Sequence, residues 1–186
     1  MDAFEQKSLL EAVLYILKRT GGIGYYQVFK ILYFAEKNHL AKWGSSMIPD
    51  RFCALENGPV PTYLYDALRG HSRRECPGLQ ELLKEGVQNG SEDASYILTA
   101  RRDPDMNYLS KSEIAELDRS IAENLPLSFA ELKNKSHDSA WSEAYYSKHS
   151  GRKYMDPVLM AEAADADKST IAYLKDSLEL QSACTR

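Results

Sequence analysis

The sequence predicts a mainly helical α+β domain: a single-domain helical bundle that carries a small antiparallel sheet of two or three strands. Three observations point there. Apolar residues recur at helical spacing over residues 4–18 and 25–40. Capping boxes stand at Ser110 and Ser128, and two short strand-like runs are bounded by turn chemistry.

Leu10, Val13, Leu14 and Leu17 fall at i, i+3, i+4 and i+7, one face of a first helix. Thr20-Gly21-Gly22 ends it, because glycine supplies the left-handed turn after a helix. A second helix spans roughly Tyr25 to Leu40. Its run from Val28 to Ala35 is apolar nearly all round except for Lys30, so it belongs at the centre of the bundle. Periodicity stops at Trp43-Gly44-Ser45-Ser46. Arg51 to Leu55 reads as a strand closed by the turn chemistry of Glu56-Asn57-Gly58-Pro59. Pro61 suits the first turn of a third helix carrying Leu64, Tyr65 and Leu68, where its missing N–H costs nothing. A short helix follows near Leu79–Lys84.

Gln88-Asn89-Gly90-Ser91 is the clearest turn, and Ala94–Arg101 after it reads as a second strand, expected beside Arg51–Leu55. Asp103-Pro104-Asp105 would turn the chain into a third short strand near Asn107–Leu109. Ser110–Glu113 and Ser128–Glu131 then open two helices, the first carrying Ile114, Leu117 and Ile121 and the second Leu132. Asp138 or Ser136 caps a further helix running to about Tyr146, with Trp141 turned to the core. Two more helices fall near 157–164 and 168–180. No repeat, low-complexity tract or linker divides the chain, so residues 1–186 are expected to form one domain, with C-terminal helices over 155–182.

A chain of 186 residues with 44% hydrophobic and 27% charged residues has the composition of a folded globular domain. The net charge of −4 disfavours the phosphate backbone as main ligand. Two local basic clusters, Arg69 with Arg73 and Arg74, and Lys133, Lys135, Lys148, Arg152 and Lys153, read as solvated faces. Cys53, Cys76 and Cys184 are an odd number at wide spacing, without the paired pattern of a zinc site or a disulfide framework. The N-terminus does not read as a signal peptide, and no apolar run approaches the ~18 residues of a membrane span. A cytoplasmic protein is expected.

Residues patterned for chemistry are sparse. His39, His71, His137 and His149 show no metal-ligand spacing, so neither metal nor cofactor is expected. Gly21-Gly22-Ile23-Gly24 lacks the context of a nucleotide loop. Ser136-His137-Asp138 holds the residue types of a hydrolase triad. Three consecutive residues, however, would have to fold back on themselves to put the histidine between its partners. An enzyme reading would need Tyr33, Arg51, Tyr65 and His137 to converge on a pocket. Twelve tyrosines, with the runs Tyr25-Tyr26 and Tyr145-Tyr146, suit core packing or a protein interface.

Four blocks carry a resemblance: Lys30–Glu36 (KILYFAE), Asp50–Leu55 (DRFCAL), Gly58–Asp66 (GPVPTYLYD), and Leu109–Glu113 with Ser136-His137-Asp138 and Trp141. In this order, within about residues 11–146, they resemble the Panacea, or SocA-like, antitoxin domain. The resemblance implies a bacterial or phage-derived antitoxin that neutralises a cognate toxin, encoded by the adjacent gene, through direct protein contact. It implies a mostly helical fold with a small antiparallel sheet. Alternatives are an adaptor that delivers a partner to a protease and a phage-associated protein of other role. The motif positions Tyr33, Asp50, Arg51, Gly58, Pro59, Tyr65, His137, Asp138 and Trp141 hold the fold or touch the toxin. Gly58 and Pro59 fix the strand-to-helix turn, and Asp50 and Arg51 pair or cap.

Overall fold

The computed structural model describes residues 1–90, 96–148 and 150–184. Ala94 and Ser95 of the expected second strand, Ser91 of the turn before it, and His149 lie outside them.

Helix α1 (Ala3–Thr20) is opened by a capping box of Asp2 and Glu5 and closed by Gly21 at φ 74°. Helix α2 (Tyr25–Trp43) ends at Gly44, also left-handed. As expected from its apolar circumference, α2 is the axle of the fold. Residues 28–36 are buried without interruption, Lys30 and Glu36 included. Helices α5 (Lys111–Asn124), α6 (Phe129–Ser136), α8 (Pro157–Glu162) and α9 (Lys168–Cys184) all pack around it. Both predicted capping boxes form, Ser110 with Glu113 and Ser128 with Glu131. The core is one cluster that takes Leu9–Leu17 from α1, Leu117 from α5 and Leu174 from α9.

The sheet pairing differs from the expectation. Strand β1 (Ile23–Gly24) pairs with β5 (Ile97–Ala100), which also pairs with β4 (Val87–Asn89), all antiparallel. Phe52–Leu55 is strand β2, but its partner is β3 (Gly58–Pro61) in a separate hairpin. Proline within a strand argues against pairing, yet here the register removes the objection. Thr62 N–H donates to Arg51 O, while Ala54 N–H donates outward to Lys153 O at 2.8 Å. Pro59 and Pro61, opposite Ala54 and Phe52, therefore occupy the pairs that exchange no ladder bond and need no N–H. With that edge of β2 taken locally, β5 turns to the segments beside α1.

Two further expectations are corrected. Residues 106–108 form a 3₁₀ turn capped by the Asp105 side chain, which accepts from Asn107 N at 3.0 Å, and no strand. Pro61 stays extended as the last residue of β3, and helix α3 runs Thr62–Leu68, so Gly58 and Pro59 turn strand into strand and not strand into helix. Its first N–H groups, which lack a partner within the helix, are met from upstream: the Asp50 carboxylate accepts from Tyr63 N and Leu64 N, both at 2.9 Å. Helix α4 covers Leu79–Gly86 and α7 covers Ser139–Tyr145. Among the described residues, no helix is long and apolar enough to cross a membrane.

Candidate protein-binding face

The motif residues gather where the β2–β3 hairpin meets α2 and the α6–α7 junction. Gly58 has φ 93°, and a β-carbon there would stand 2.5 Å from Ser136 Oγ and 2.6 Å from Lys30 Nζ. Only glycine lets the hairpin lie this close to α2 in that backbone shape. Pro59 then offers its carbonyl to Lys30 Nζ at 2.8 Å. Burial pushes the Lys30 amine down to about 7. Its nearest ring is that of Tyr26, 4.8 Å away.

Asp138 organises the other side. One oxygen accepts from Trp141 N at 3.1 Å and starts α7. The other accepts from Tyr33 OH at 2.7 Å and Lys37 Nζ at 3.0 Å. Trp141 is buried between the His137 ring, stacked at 3.6 Å, and the Tyr145 ring at 4.6 Å. Trp141 and Tyr145, four residues apart on one helix, thus share a face. The Trp141 indole N–H donates to Leu55 O at 2.9 Å, which locks the hairpin end onto α7.

These contacts dispose of two sequence suggestions. Ser136 Oγ donates to Lys133 O and Asp138 faces α2, so the Ser-His-Asp run forms no relay. His137 titrates below its ordinary range, first because it is desolvated and then because Lys133 and Lys30 are near. Tyr33, Arg51, Tyr65 and His137 find four separate partners. Tyr33 is bound to Asp138, and Arg51 lies exposed with its guanidinium 3.8 Å from the centre of the Tyr154 ring. Tyr65 OH accepts from Arg69, and His137 stacks on Trp141. Asp50 and Arg51 form no ion pair; Asp50 receives the Arg51 backbone N–H at 2.6 Å and caps α3 instead. Among the described residues, no group of three His, Cys, Asp or Glu side chains is placed to hold a metal ion.

Beside this framework lies a groove. Three adjoining hollows of about 350, 430 and 470 Å³ share Tyr65, with Phe29 and Val60 in the floor. Exposed Tyr25, Leu55 and Phe129 stand along it. Tyr26 packs its ring on Phe129 at 4.4 Å and donates to Asn57 O at 3.0 Å. An open aromatic and aliphatic surface of this kind suits a protein partner. Of its residues Tyr65 and Gly58 were expected as motif positions, Tyr25-Tyr26 as a tyrosine run, and Arg69, Arg152 and Lys153 as parts of the basic clusters. Leu55 entered only as the end of a strand and of a motif block, and Phe129 carried no signal of its own.

A family sequence model described as "Antitoxin SocA-like, Panacea domain" matches residues 28–142. The match runs from α2 through the hairpin to α7 and so includes every motif residue above. The chain belongs to the Panacea family. The resemblance read from four sequence blocks is thereby shown. The Panacea match holds all four blocks and is somewhat narrower than the expected span of about 11–146, leaving α1 and the C-terminal helices outside it. No curated protein and no solved structure matches the chain.

Proposed function

We propose that this Panacea protein is the antitoxin of a toxin–antitoxin pair, acting in the cytoplasm, and that it neutralises its toxin by covering it through direct contact. Membership of the antitoxin SocA-like family supports a role of this type. The observation that carries the contact mode is the open groove around Tyr65, ringed by exposed Tyr25, Leu55 and Phe129. Aromatic side chains give contact area with few rotors to freeze, and tyrosine is enriched in binding hot spots. Under this reading Tyr33, Asp50, Gly58, Pro59, His137, Asp138 and Trp141 build the platform, and residues 1–186 act as one domain.

Co-expression with the adjacent gene tests the proposal. That product is expected to arrest growth alone, to be tolerated with this protein, and to co-purify with it. A harmless neighbour that forms no complex overturns the antitoxin reading. Neutralisation with a shortened, protease-dependent toxin lifetime overturns the covering mode in favour of adaptor action.

A further inference from the structure

The charge around the groove narrows the kind of surface it accepts. The two basic clusters of the sequence lie far apart in the chain, yet Arg73 and Arg152 both bind the carboxylate of Asp66, Arg152 at 3.0 Å. Two guanidinium groups share that carboxylate, and Glu75 is a further acid close enough to act on Arg73, so the corner is balanced. Three further cations stand at the rim with neutral partners. Arg69 donates to Tyr65 OH at 2.9 Å, Lys133 to Asn57 Oδ1 at 3.2 Å, and Lys153 to the Ser147 carbonyl. Asn57, Tyr65, Arg152 and Lys153 themselves line the hollows, while Glu56 is the carboxylate among the lining residues. On a chain whose net charge is −4, this is a local reversal of sign.

We propose that the groove takes an acidic segment of a partner protein bearing large apolar side chains. The anchors seat around Tyr65, and the carboxylates lie against Arg69, Lys133 and Lys153. Complementary rim charge speeds encounter and rejects wrong partners, while the apolar floor holds the complex. Single-stranded nucleic acid fits less well, because Tyr26 and Phe129 pack on each other and occupy faces on which bases would stack. The inference deepens the antitoxin reading, since it places the acidic segment on the toxin.

The test selects binders from a random peptide library displayed on phage, using the full chain as bait. Recovered peptides are expected to combine Asp or Glu with Phe, Leu, Trp or Tyr. Their affinity is expected to fall about tenfold or more in the combined variant Arg69→Glu, Lys133→Glu, Lys153→Glu, and again in Phe129→Ala. Unchanged circular dichroism and melting temperature in both variants exclude a folding defect, and Phe129→Ala alone serves if the charge variant fails to fold. Recovery of basic or neutral sequences only, or of none, overturns the proposal. Binding of an oligothymidine strand that the charge variant loses would assign the face to nucleic acid. A dimer in sedimentation that Phe129→Ala dissociates would assign it to a second copy. A charge variant that binds peptides poorly yet still neutralises the toxin removes the acidic-segment proposal and leaves the antitoxin reading standing. Acidic-peptide binding beside a harmless neighbouring gene product does the reverse.

Discussion

The Tyr33 hydroxyl, in the middle of α2, donates to Asp138 at 2.7 Å and joins residues 105 positions apart. The same carboxylate receives Lys37 and starts α7, so one side chain fastens the central helix to the element that carries Trp141. Its neighbours make it indispensable: Tyr33 has no exposed surface, and its phenol is held well above the ordinary range by burial and by Asp138.

Asp138→Ala therefore removes a cap and leaves a buried hydroxyl without an acceptor. The expected cost is about 2–4 kcal/mol, summing a lost cap and an unsatisfied buried donor. Asp138→Asn keeps an acceptor for the cap and should lose less. Urea denaturation at neutral pH measures both. A loss under about 0.5 kcal/mol for the alanine variant, the range of ordinary surface changes, would contradict this account.

Gly58 and Gly21 both have positive φ but differ in surroundings. A β-carbon at Gly21 meets nothing within 4 Å, whereas at Gly58 it strikes Ser136 and Lys30. Gly21→Ala should cost about 1–2 kcal/mol, the left-handed penalty alone. Gly58→Ala adds steric displacement of the hairpin and should cost at least about 1 kcal/mol more, in line with overpacking. Equal midpoints in paired denaturation curves would show that the hairpin yields.

Lys30 gives a pH signature whose sign follows from linkage. Its folded value near 7 lies below the ordinary 10.5, so between those limits the unfolded chain binds the additional proton. Stability from this group is fully present above the unfolded value and declines as pH falls toward 7, with a slope of up to about 1.4 kcal/mol per pH unit. The comparison of wild type with Lys30→Met from pH ~7 to ~8.5, below the ordinary thiol and phenol range, isolates it. The variant should show the flatter profile. Parallel profiles would mean that Lys30 stays charged in the fold.

Trp141 and Phe129 should separate folding from binding. Trp141 is 5% exposed and stacked on both faces, and its replacement by alanine should cost about 3–5 kcal/mol. Phe129 is 53% exposed. Phe129→Ala should shift stability by no more than about 0.5 kcal/mol while weakening partner binding by about 1–2 kcal/mol. Thermal melts and partner pull-down titrations check the pair. A Trp141→Ala protein with wild-type melting temperature, or a Phe129→Ala protein that binds fully, would reverse these assignments.

What depends on neighbours within a turn or so is legible in the residues alone. The capping boxes at Ser110 and Ser128, the stop at Gly21, a cap for α7 at Asp138 or Ser136, and the central placement of α2 were all legible. Each rests on i to i+3 hydrogen bonds, one residue's φ, or the apolar circumference of a single helix. The four motif blocks were legible as a resemblance, and the family match covers the motif residues in them.

Tertiary structure alone decided the rest. The partners of β5 were not written in its own residues, since strand pairing is chosen among distant segments, and Pro59 and Pro61 argued against β3 until the register placed them where no N–H is required. Asp50 capping a helix that starts twelve positions later, and Leu55 meeting Phe129 across a groove, likewise have no local signature. Local rules set which elements form. Burial of their apolar faces against one another decides which side chains are left facing a partner, because that choice depends on the whole packed set at once.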